Sequence, residues 1–496
     1  MRLSIERSAV KVYPDPKRVI ARFFFTQDER AKELISRVME LSDAEVFSII
    51  SPILQEYSKR HRNITRILNR HCVKVKRLIV DLGIDFDHIQ EFRKLLIGSY
   101  FTHEYSIESA AFFNPSIIED PDQTELVDGQ KRMIVSFRAV GEGHISSIVF
   151  RRAIVENNGD LTLMPSGNYV DEAELIRNAV YVKKLFFNKA ADNQIEKSVL
   201  KQVKEKLGDE FEYHELQQVI QDLRDKEHNK DLKLEFKKVL WLSDSFHDIS
   251  FSRDTDISDR VIFPISQFER KGIEDARFVR FLKDDGTVIY YATYTAFDGH
   301  LIMPKLLQTT DFYDFKVCPL YGEGAQNKNL ALFPRKINGK YAMMSRIDGW
   351  NNYIMYSDKI QIWEHPILLQ KPHASWEYIQ IGNCGSPIET EDGWLIITHG
   401  VGPMRRYCLG ASLLKLDDPT VEIGRLSEPL IIPNKDEREG YVPNVLYSCG
   451  SIIHNDTLII PYGSSDYCSS FAFVDVHDLL DRLKSKSSAL EDIRYM

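Results

Sequence analysis

The amino-acid sequence predicts a mainly β protein with helical additions, and three observations lead to this fold class. One short unit, a tight-turn pair followed by an apolar strand that ends on a polar residue, recurs five times. The last four of these turns lie about 53, 54 and 63 residues apart, a period that suits one four-stranded propeller blade. The first turn lies far upstream of the second, so a large insertion must separate them. The sequence therefore predicts a five-bladed β-propeller with an N-terminal helical region and a helical insertion between blades one and two.

The five turns are the strongest local signal in the chain. Asn-Gly and Asp-Gly pairs between apolar runs predict β-hairpins, because both central residues of such a turn need φ > 0. Five blades would place their inner strands around one central funnel, where the recurring polar residues are expected to converge. The turn pairs are Asp128-Gly129, Asp285-Gly286, Asn338-Gly339, Asp392-Gly393 and Asn455-Asp456.

Residues 28–100 are predicted to be helical. Ser42 and Glu45 form a capping-box pattern, and apolar residues at helical spacing follow it. A second helix is predicted to begin near Asp87 and to stop at Gly98, because glycine is common just after the last helical turn.

The insertion is predicted to be helical throughout. Helical periodicity occurs over residues 171–187, 198–211 and 214–226, with Gly208 as a terminator of the middle segment. Such helices either pack on the outside of the propeller, form an oligomer interface or cover the funnel. The expected boundaries are 1–104 for the N-terminal region, 105–480 for the propeller with its insertion at about 171–238, and 481–496 for a C-terminal tail.

Composition narrows the class of protein. The formal net charge of the 496 residues is −9 and no basic block stands out, which argues against a nucleic-acid partner. No apolar run approaches the length of a membrane span, and the N-terminus lacks the apolar segment of a secretory signal. The six cysteines are scattered without metal-ligand spacing. We therefore expect reduced thiols, a cytoplasmic protein and neither a metal nor a cofactor.

The string GIEDARF, residues 272–278, is the most specific candidate for catalysis. Two adjacent carboxylates beside Arg277 at the start of an apolar strand are hard to explain by core packing. On a regular strand Glu274 and Asp275 face opposite sides, so only one is expected to point into the funnel. The other would pair with Arg277 or a neighbouring loop.

Other blades supply polar residues at equivalent places in the repeat. Lys328, Arg346 and His399 are expected to form a compact cationic pocket near one carboxylate. An acid catalyst that works with an anionic nucleophile needs this combination. The further polar positions are Asn114 and Arg138 in blade one, Asn329 in blade three and Asp466 in blade five.

With these residues in place, the chain resembles glycoside hydrolase family 130, the β-mannoside phosphorylases and mannosidases with a five-bladed propeller. The resemblance rests on GIEDARF, NKNLALFPRKINGKY, GSPIETEDGWLIITHGV, EGYVPNVLYSCG and YGSSD, and it covers roughly residues 105–480. It implies inverting phosphorolysis of a β-mannoside to α-mannose 1-phosphate. The partners would then be a mannoside oligosaccharide and inorganic phosphate as co-substrate, with a homo-oligomer possible through the helical regions.

The resemblance also implies a role for each matching residue. Asp275 corresponds to the general acid, which in the phosphorylases is thought to protonate the glycosidic oxygen through a sugar hydroxyl. The substrate-binding positions would be Asn114, Arg138, Asn329 and Asp466, and the phosphate-binding positions would be Lys328, Arg346, His399 and Tyr407.

Three positions depart from the family pattern. Ala276 replaces a proline beside the acid, and Lys328 stands where many members carry arginine. Gln380 stands where the phosphorylases carry a phosphate-binding lysine. The predicted phosphate pocket therefore loses one cation and one bidentate fork.

Three alternatives remain open at this point. An inverting mannosidase would need a second carboxylate to activate water. The candidates for that base are Glu389, Glu391, Glu437 and Glu439. A non-catalytic scaffold or sugar-binding module is the second alternative, although buried charges without a use would cost stability. The third is another five-bladed glycosidase clan with three funnel carboxylates, which a single funnel carboxylate disfavours.

Overall fold

The computed structural model of the protein describes residues 3–25, 27–167, 169–176, 180–193 and 195–494, with side chains up to residue 485. These residues form a mainly β protein with helices at both ends and in one internal segment.

The α-helices of the described residues lie in three groups. The first group follows two N-terminal strands, the second lies in the middle of the chain, and a single helix follows the last strand. They are α1 (Asp28–Glu40), α2 (Asp43–Tyr57), α3 (Ile64–Lys74), α4 (Lys76–Asp81), α5 (Glu91–Tyr100), α6 (Lys183–Asp192), α7 (Lys197–Lys206), α8 (Tyr213–Lys226), α9 (Lys230–Ser243) and α10 (Val476–Arg494).

The strands of the first half of the chain include two that precede all helices. They are β1 (Ile5–Val12), β2 (Val19–Phe23), β3 (Thr102–Ser106), β4 (Ala111–Glu119), β5 (Lys131–Val140), β6 (Ser146–Val155), β7 (Leu161–Leu163), β8 (Asp171–Glu172), β9 (Glu174–Ile176), β10 (Val180–Val182), β11 (Glu210–Glu212), β12 (His247–Ser250) and β13 (Arg260–Ile262).

The strands of the second half follow one another with few helical breaks. They are β14 (Gly272–Leu282), β15 (Val288–Phe297), β16 (Ile302–Thr309), β17 (Asp314–Pro319), β18 (Ala331–Leu332), β19 (Tyr341–Ser345), β20 (Asn352–Ser357), β21 (Ile367–Gln370), β22 (Gln380–Asn383), β23 (Ile388–Thr390), β24 (Gly393–Val401), β25 (Tyr407–Leu414), β26 (Glu422–Arg425), β27 (Leu446–Tyr447), β28 (Ile452–His454), β29 (Thr457–Ser464) and β30 (Cys468–Asp475).

The five predicted turns each lead into a strand, as the sequence predicts. These strands are β5, β15, β19, β24 and β29, and each pairs with an antiparallel neighbour on the far side of its turn. Gly129, Gly286 and Gly339 have φ of 86°, 82° and 78°. The left-handed backbone that selects glycine at these turns is therefore present.

Five groups of antiparallel strands follow from these hairpins. The first is β4-β5-β6-β7 and the second is β14-β15-β16-β17, extended by β12 and β9. A single parallel pair, Ser146 with Gly272, joins these two groups into one larger sheet. The third group is β18-β19-β20-β21 and the fourth is β22-β24-β25-β26. The fifth is β27-β29-β30 with β1 at its edge, so the first strand of the chain completes the last group.

Neighbouring groups share apolar cores. One core joins the fourth and fifth groups through Leu395, Leu413 and Leu458. Another joins the fifth group to the first through Phe112 and Ile459. The contact between the last and first groups brings together strands more than three hundred residues apart in the sequence.

The helices pack on cores of their own. Helices α1–α5 enclose one apolar cluster that includes Ile35, Ile50 and Leu96. The internal helices α6–α9 bury Phe186 and Phe236 in a core shared with the second strand group. The Ser42–Glu45 capping box is present, with the Ser42 N–H donating to Glu45 Oε2 at 2.7 Å.

Two helix predictions are wrong in detail. The helix predicted from residue 171 begins only at Lys183, because Leu175 lies on β9 and pairs with Ile249 of β12. The predicted stop at Gly98 lies inside α5, which begins at Glu91 and continues to Tyr100. A Cβ at Gly98 would lie 1.9 Å from the carbonyl oxygen of Leu68, so this glycine permits close helix packing.

Candidate active site

The predicted site residues from all five strand groups line one cavity of about 580 Å³. This volume falls within the usual range for small-molecule sites. The polar residues of this lining are Asn114, Arg138, Asp275, Lys328, Asn329, Arg346, Gln380, His399, Arg405, Tyr407, Asn444, Tyr447 and Asp466.

Five Asn and Asp residues of the lining have a left-handed backbone. This conformation is uncommon outside glycine, and Asn and Asp tolerate it best. Non-glycine residues held in this region cost free energy and cluster at functional sites. The five are Asn114 at φ 50°, Asp275 at 55°, Asn329 at 69°, Asn444 at 65° and Asp466 at 51°. Their shared geometry supports the interpretation of this cavity as the functional site.

A β-bulge places Glu274 and Asp275 in the same charge cluster. The pairing of β14 with β15 skips from Glu274 to Arg277, and Asp275 in between has a left-handed backbone. A bulge re-aims the side chains of its strand. The guanidinium of Arg138 contacts both carboxylates, but of the two only Asp275 belongs to the described lining of the cavity, in line with the expectation that one of them faces the site.

The carboxylates are held by three side chains. Asn114 Nδ2 donates to Asp275 Oδ1 at 2.7 Å. Arg138 Nη2 donates to Glu274 Oε1 at 2.8 Å, and its Nη1 lies 3.5 Å from Asp275 Oδ1. Lys328 Nζ donates to Glu274 Oε2 at 2.6 Å. In this arrangement Lys328, which was predicted to bind phosphate, already has a carboxylate partner.

Arg277 supports the site through hydrogen bonds and forms no ion pair with Glu274. Its Nη1 donates to the backbone oxygen of Asp275 at 2.9 Å, and its Nη2 donates to the Tyr447 hydroxyl at 2.7 Å. Tyr447 in turn accepts from Asn329 Nδ2 at 3.1 Å. This buried chain of hydrogen bonds fixes the backbone that carries Asp275.

Two carboxyl groups of the cavity have opposite pKa shifts. Burial acts to raise the pKa of Asp275, but Arg138, Arg277 and Lys328 outweigh it and hold that pKa below its usual value. Burial raises the pKa of Asp466 to about 6; Arg138 opposes this rise, and the charges of Asp275 and Glu274 add to it. Environments that push the pKa values of neighbouring carboxyls apart are typical of catalytic sites. The described lining holds two carboxylates, Asp275 and Asp466, which is one more than the single funnel carboxylate expected and fewer than the three that the other glycosidase clan would need.

A second set of lining residues consists of Arg346, Gln380, His399, Arg405 and Tyr407. Among the side chains that the structure describes, no carboxylate forms an ion pair with Arg346 or Arg405. Arg346 Nη1 lies 3.3 Å from His399 Nε2, and its Nε has no hydrogen-bond partner within the protein. We call these five residues the cationic pole.

His399 is neutral, which corrects its predicted role as a cation. Burial, with the charges of Arg346 and Arg277 next in size, lowers the pKa of His399 well below its usual value. Its ring lies against two tyrosines, stacked on Tyr407 at 6.1 Å and tilted to Tyr447 at 4.7 Å between centroids. His399 therefore acts as a neutral hydrogen-bonding group in the cationic pole.

The candidates for a hydrolytic base lie elsewhere. Glu389 pairs with Arg335 at 2.6 Å, and Glu391 is exposed beside the turn at residues 392–393. Glu437 is buried and accepts from the Tyr462 hydroxyl at 2.6 Å. Glu439 is exposed in the loop before β27. None of the four lines the cavity in the part of the chain that the structure describes.

Sequence reasoning missed three contributors to the site. Glu274 was expected to pair with Arg277 or a neighbouring loop, and its pairing with Arg138 and Lys328 was not predicted. Tyr447 appears in the repeat as a polar residue but carried no predicted role. Arg405 lies in a turn where both it and Met404 have positive φ, at 53° and 59°, although neither residue is a glycine or an asparagine.

Two other kinds of feature are absent from the described residues. No helix there is long and apolar enough to cross a membrane. No group of three or more His, Cys, Asp or Glu side chains in that part is placed to hold a metal ion.

Comparison with known proteins identifies the family whose sequence profile this chain matches. The sequence profile of glycoside hydrolase family 130, described as beta-1,4-mannooligosaccharide phosphorylase, matches residues 236–485. This match begins later than the predicted start at residue 105, and the first strand group lies outside it.

Two characterised relatives match the chain over part of their length. A 1,2-beta-oligomannan phosphorylase from Thermoanaerobacter sp. (strain X514) is 38% identical over 220 residues, which are 42% of this chain and 71% of that protein. A beta-1,2-mannobiose phosphorylase from Listeria innocua is 31% identical over 232 residues, 45% of this chain and 63% of that protein.

A solved structure of a beta-1,2-mannobiose phosphorylase from Listeria innocua, in complex with beta-1,2-mannobiose, aligns with 77% of this chain and 93% of its own. The sequence identity is 21% and the TM-score 0.44. At that score the alignment supports no conclusion about the arrangement of the strand groups.

Proposed function

The chain belongs to glycoside hydrolase family 130 and is an enzyme of that family, and from this premise we propose that it is an inverting β-mannoside phosphorylase. Inorganic phosphate would be its co-substrate and α-mannose 1-phosphate its product. The observation that carries the proposal is the division of the cavity into two parts. Asp275 and Asp466 form one part, with Glu274 paired to Arg138 and Lys328 beside them, and the cationic pole, whose two arginines have no carboxylate partner among the described side chains, forms the other.

The cationic pole is the proposed phosphate site. Arg346 and Arg405 would supply charge and hydrogen-bond donors to the phosphate oxygens, since arginine presents several donors in a fixed fork. His399 and Tyr407 would add neutral hydrogen bonds. Lys328 is bonded to Glu274, so its contribution to phosphate binding would be through its charge across the cavity.

Asp275 is the proposed general acid. Asn114 and Arg138, which hold its side chain, and Asp466 are proposed to contact the sugar together with Asn329. Phosphate would attack the anomeric carbon from the face opposite the leaving sugar. The C–O bond to the leaving group would break as the new C–O bond to phosphate forms, and the proton from Asp275 would end on the leaving oxygen. No base is needed, because phosphate is already an anion.

The lowered pKa of Asp275 constrains this mechanism. A carboxyl that acts as acid must be protonated when substrate is bound, whereas Arg138, Arg277 and Lys328 favour its ionised form in the free enzyme. Bound sugar excludes water, and bound phosphate adds negative charge nearby. Both changes raise the pKa of a carboxyl. The acid form of Asp275 would therefore arise in the ternary complex.

A five-bladed propeller is the architecture we propose for the strand groups. Each group contacts the next, and the fifth contacts the first, which is the pattern that a closed ring of blades requires. The contacts from group to group are Ser146 with Gly272, Leu282 with Arg335, Asn329 with Asn383, Tyr407 with Asn444, and Gly450 with Ser116. A cytoplasmic location and a homo-oligomer formed through helices belong to the same proposal.

The decisive experiment is cleavage of β-1,2- and β-1,4-mannobiose with and without inorganic phosphate. We expect mannose 1-phosphate to form only when phosphate is present. Free mannose without phosphate would instead identify an inverting β-mannosidase, and would require a base other than the four glutamates considered above. If neither product forms from either disaccharide, the assignment to β-mannosides is refuted.

A further inference from the structure

We propose that a second groove, next to the catalytic cavity, binds additional sugar units of a β-mannoside oligosaccharide. This proposal rests on the proposed function, because it extends the substrate of the same site. The groove has a volume of about 500 Å³ and lies between the end of β1, the loop before β27 and the turn between β29 and β30. We call it the tyrosine groove.

Three exposed tyrosines give the groove its character. Tyr13 is 53% exposed, Tyr441 68% and Tyr467 40%. The rings of Tyr13 and Tyr467 lie 6.1 Å apart, so two of the three form one continuous aromatic surface. A single exposed tyrosine is ordinary. Three that converge on one concave surface mark a binding site.

The chemistry of the groove fits a sugar better than an apolar partner. A tyrosine ring offers an apolar face and a polar edge, which complement the C–H face and the hydroxyl groups of a pyranose. Lys11, Asp436 and Glu439 also line the groove and provide donors and acceptors for hydroxyl groups. Apart from the tyrosine rings, Cys468 and Gly440, the side chains of its described lining are charged or hydroxylated.

The tyrosine groove adjoins the catalytic cavity across one thin ridge. The ridge consists of two segments joined by a hydrogen bond from the Val442 N–H to the Ser465 oxygen at 3.0 Å. Val442 and Asp466 line the catalytic cavity, whereas their neighbours Tyr441 and Tyr467 line the groove. Consecutive residues are about 3.8 Å apart, so an oligosaccharide held at Asp466 needs to extend by only a short distance to reach the tyrosines.

The position of Tyr441 strengthens this connection. Its ring stacks on His144 at 5.4 Å between centroids, and His144 lies in the turn between β5 and β6. Arg138, whose side chain lines the catalytic cavity, is on β5. Tyr441 therefore lies where the first and fifth strand groups meet beside that cavity. Tyr13, by contrast, comes from a part of the chain outside the family match at residues 236–485.

The test compares substrates of different length. The kcat/KM values for a mannobiose and a mannohexaose of the same linkage are measured for the wild type and for Tyr13→Ala and Tyr441→Ala. We expect each variant to lose about tenfold on the hexaose, the effect of one aromatic stacking partner, and to keep the wild-type value on the disaccharide. Tyr13→Phe retains the ring and should behave as the wild type. Tyr100→Ala, at a tyrosine 45% exposed on α5, is the matched control.

A binding measurement separates this proposal from the proposed function. Calorimetric titration of mannohexaose into the Asp275→Asn protein, with and without Tyr13→Ala, needs no turnover. Tyrosine-dependent binding without phosphorolysis by the wild type would support the groove and refute the phosphorylase. Phosphorolysis with the same ratio of hexaose to disaccharide activity in all variants would refute the groove and leave the phosphorylase intact.

Discussion

Replacement of Asp466 by asparagine should stabilise the protein at neutral pH while it weakens activity. Asp466 is partly buried near the charges of Glu274 and Asp275, and its pKa is raised from 3.8 to about 6. Below pH 3.8 the carboxyl is protonated in both the folded and the unfolded chain, and it makes no difference to stability. Between these two pKa values the unfolded chain ionises first, so the free energy of unfolding falls as the pH rises. Above pH 6 the ionised carboxyl lowers the free energy of unfolding by its full amount.

The size of this effect follows from the shift. At 1.36 kcal/mol for each pKa unit, the ionised Asp466 costs about 3 kcal/mol of stability at pH 7. Asparagine resembles the protonated carboxyl in shape and charge, so Asp466→Asn removes this cost. For a chain of 496 residues, an unfolding entropy of about 2.1 cal/mol/K per residue converts 3 kcal/mol into about 3 °C of melting temperature.

The assay is the melting temperature of the wild type and of Asp466→Asn at a series of pH values from 4 to 8. The two proteins should melt together at pH 4 and separate by about 3 °C at pH 7, with the variant higher. Other titrating groups are common to both proteins and cancel in the difference. Asp358→Asn, at an exposed carboxylate, should show no such separation. A constant difference across the series would refute the argument, because it would mean that ionisation of Asp466 carries no cost.

Four further predictions concern activity. Asp275→Asn should abolish turnover and lower the melting temperature at neutral pH, because the lowered pKa of Asp275 means that its ionised form stabilises the folded protein; near-normal turnover would remove Asp275 from the acid role. Arg405→Gln should raise the KM for phosphate by about tenfold, as expected for the loss of a charged hydrogen bond. The control Arg406→Gln, at the neighbouring exposed arginine, should leave this KM unchanged. Equal effects of the two substitutions would place Arg405 outside the phosphate site. Gln380→Lys should lower the KM for phosphate by adding a cation to the cationic pole, and an unchanged KM would mean that residue 380 does not contact phosphate. The pH profile of kcat should lose activity at a higher pH than that of kcat/KM, since Asp275 holds its proton more tightly in the ternary complex; coincident profiles would contradict this.

The strand groups were predictable because their signals are local. An Asp-Gly or Asn-Gly turn acts through the backbone of its own two residues, so Gly286 or Gly339 predicts its hairpin without knowledge of the rest of the fold. The same holds for the Ser42 capping box, which needs only the first turn of a helix.

Features that depend on distant partners were not predictable. Residues 174–176 have helical periodicity but form a strand, because β12, some seventy residues away in the chain, offers a partner for backbone hydrogen bonds. Gly98 looks like a helix stop and is instead the point of closest approach between α5 and Leu68 of α3. In both cases tertiary packing overrides the local pattern.

The same distinction applies to the site. Repeat position correctly brought Asn114, Asp275 and His399 to one cavity, because equivalent positions in a repeat are related by its geometry. The position of a residue in the repeat did not predict its protonation state or its ion-pair partners. His399 is neutral because its surroundings are buried and cationic, and Glu274 joins the cluster because of a bulge.

The charges of the cavity give a reason why phosphate and proton transfer should be linked. In the free enzyme, Arg138 and Lys328 are occupied by Glu274 and Asp275, and their charge keeps Asp275 ionised. A phosphate dianion at the cationic pole offsets that charge at short range in a site of low dielectric, where such interactions are strong. The binding of the nucleophile would thus favour the protonated form of the acid. An enzyme built in this way carries little competent acid until phosphate is bound, and water that enters in its place meets an ionised Asp275. Selectivity for phosphorolysis over hydrolysis would then come from the charge state of Asp275 as well as from the absence of a base among the four candidate glutamates.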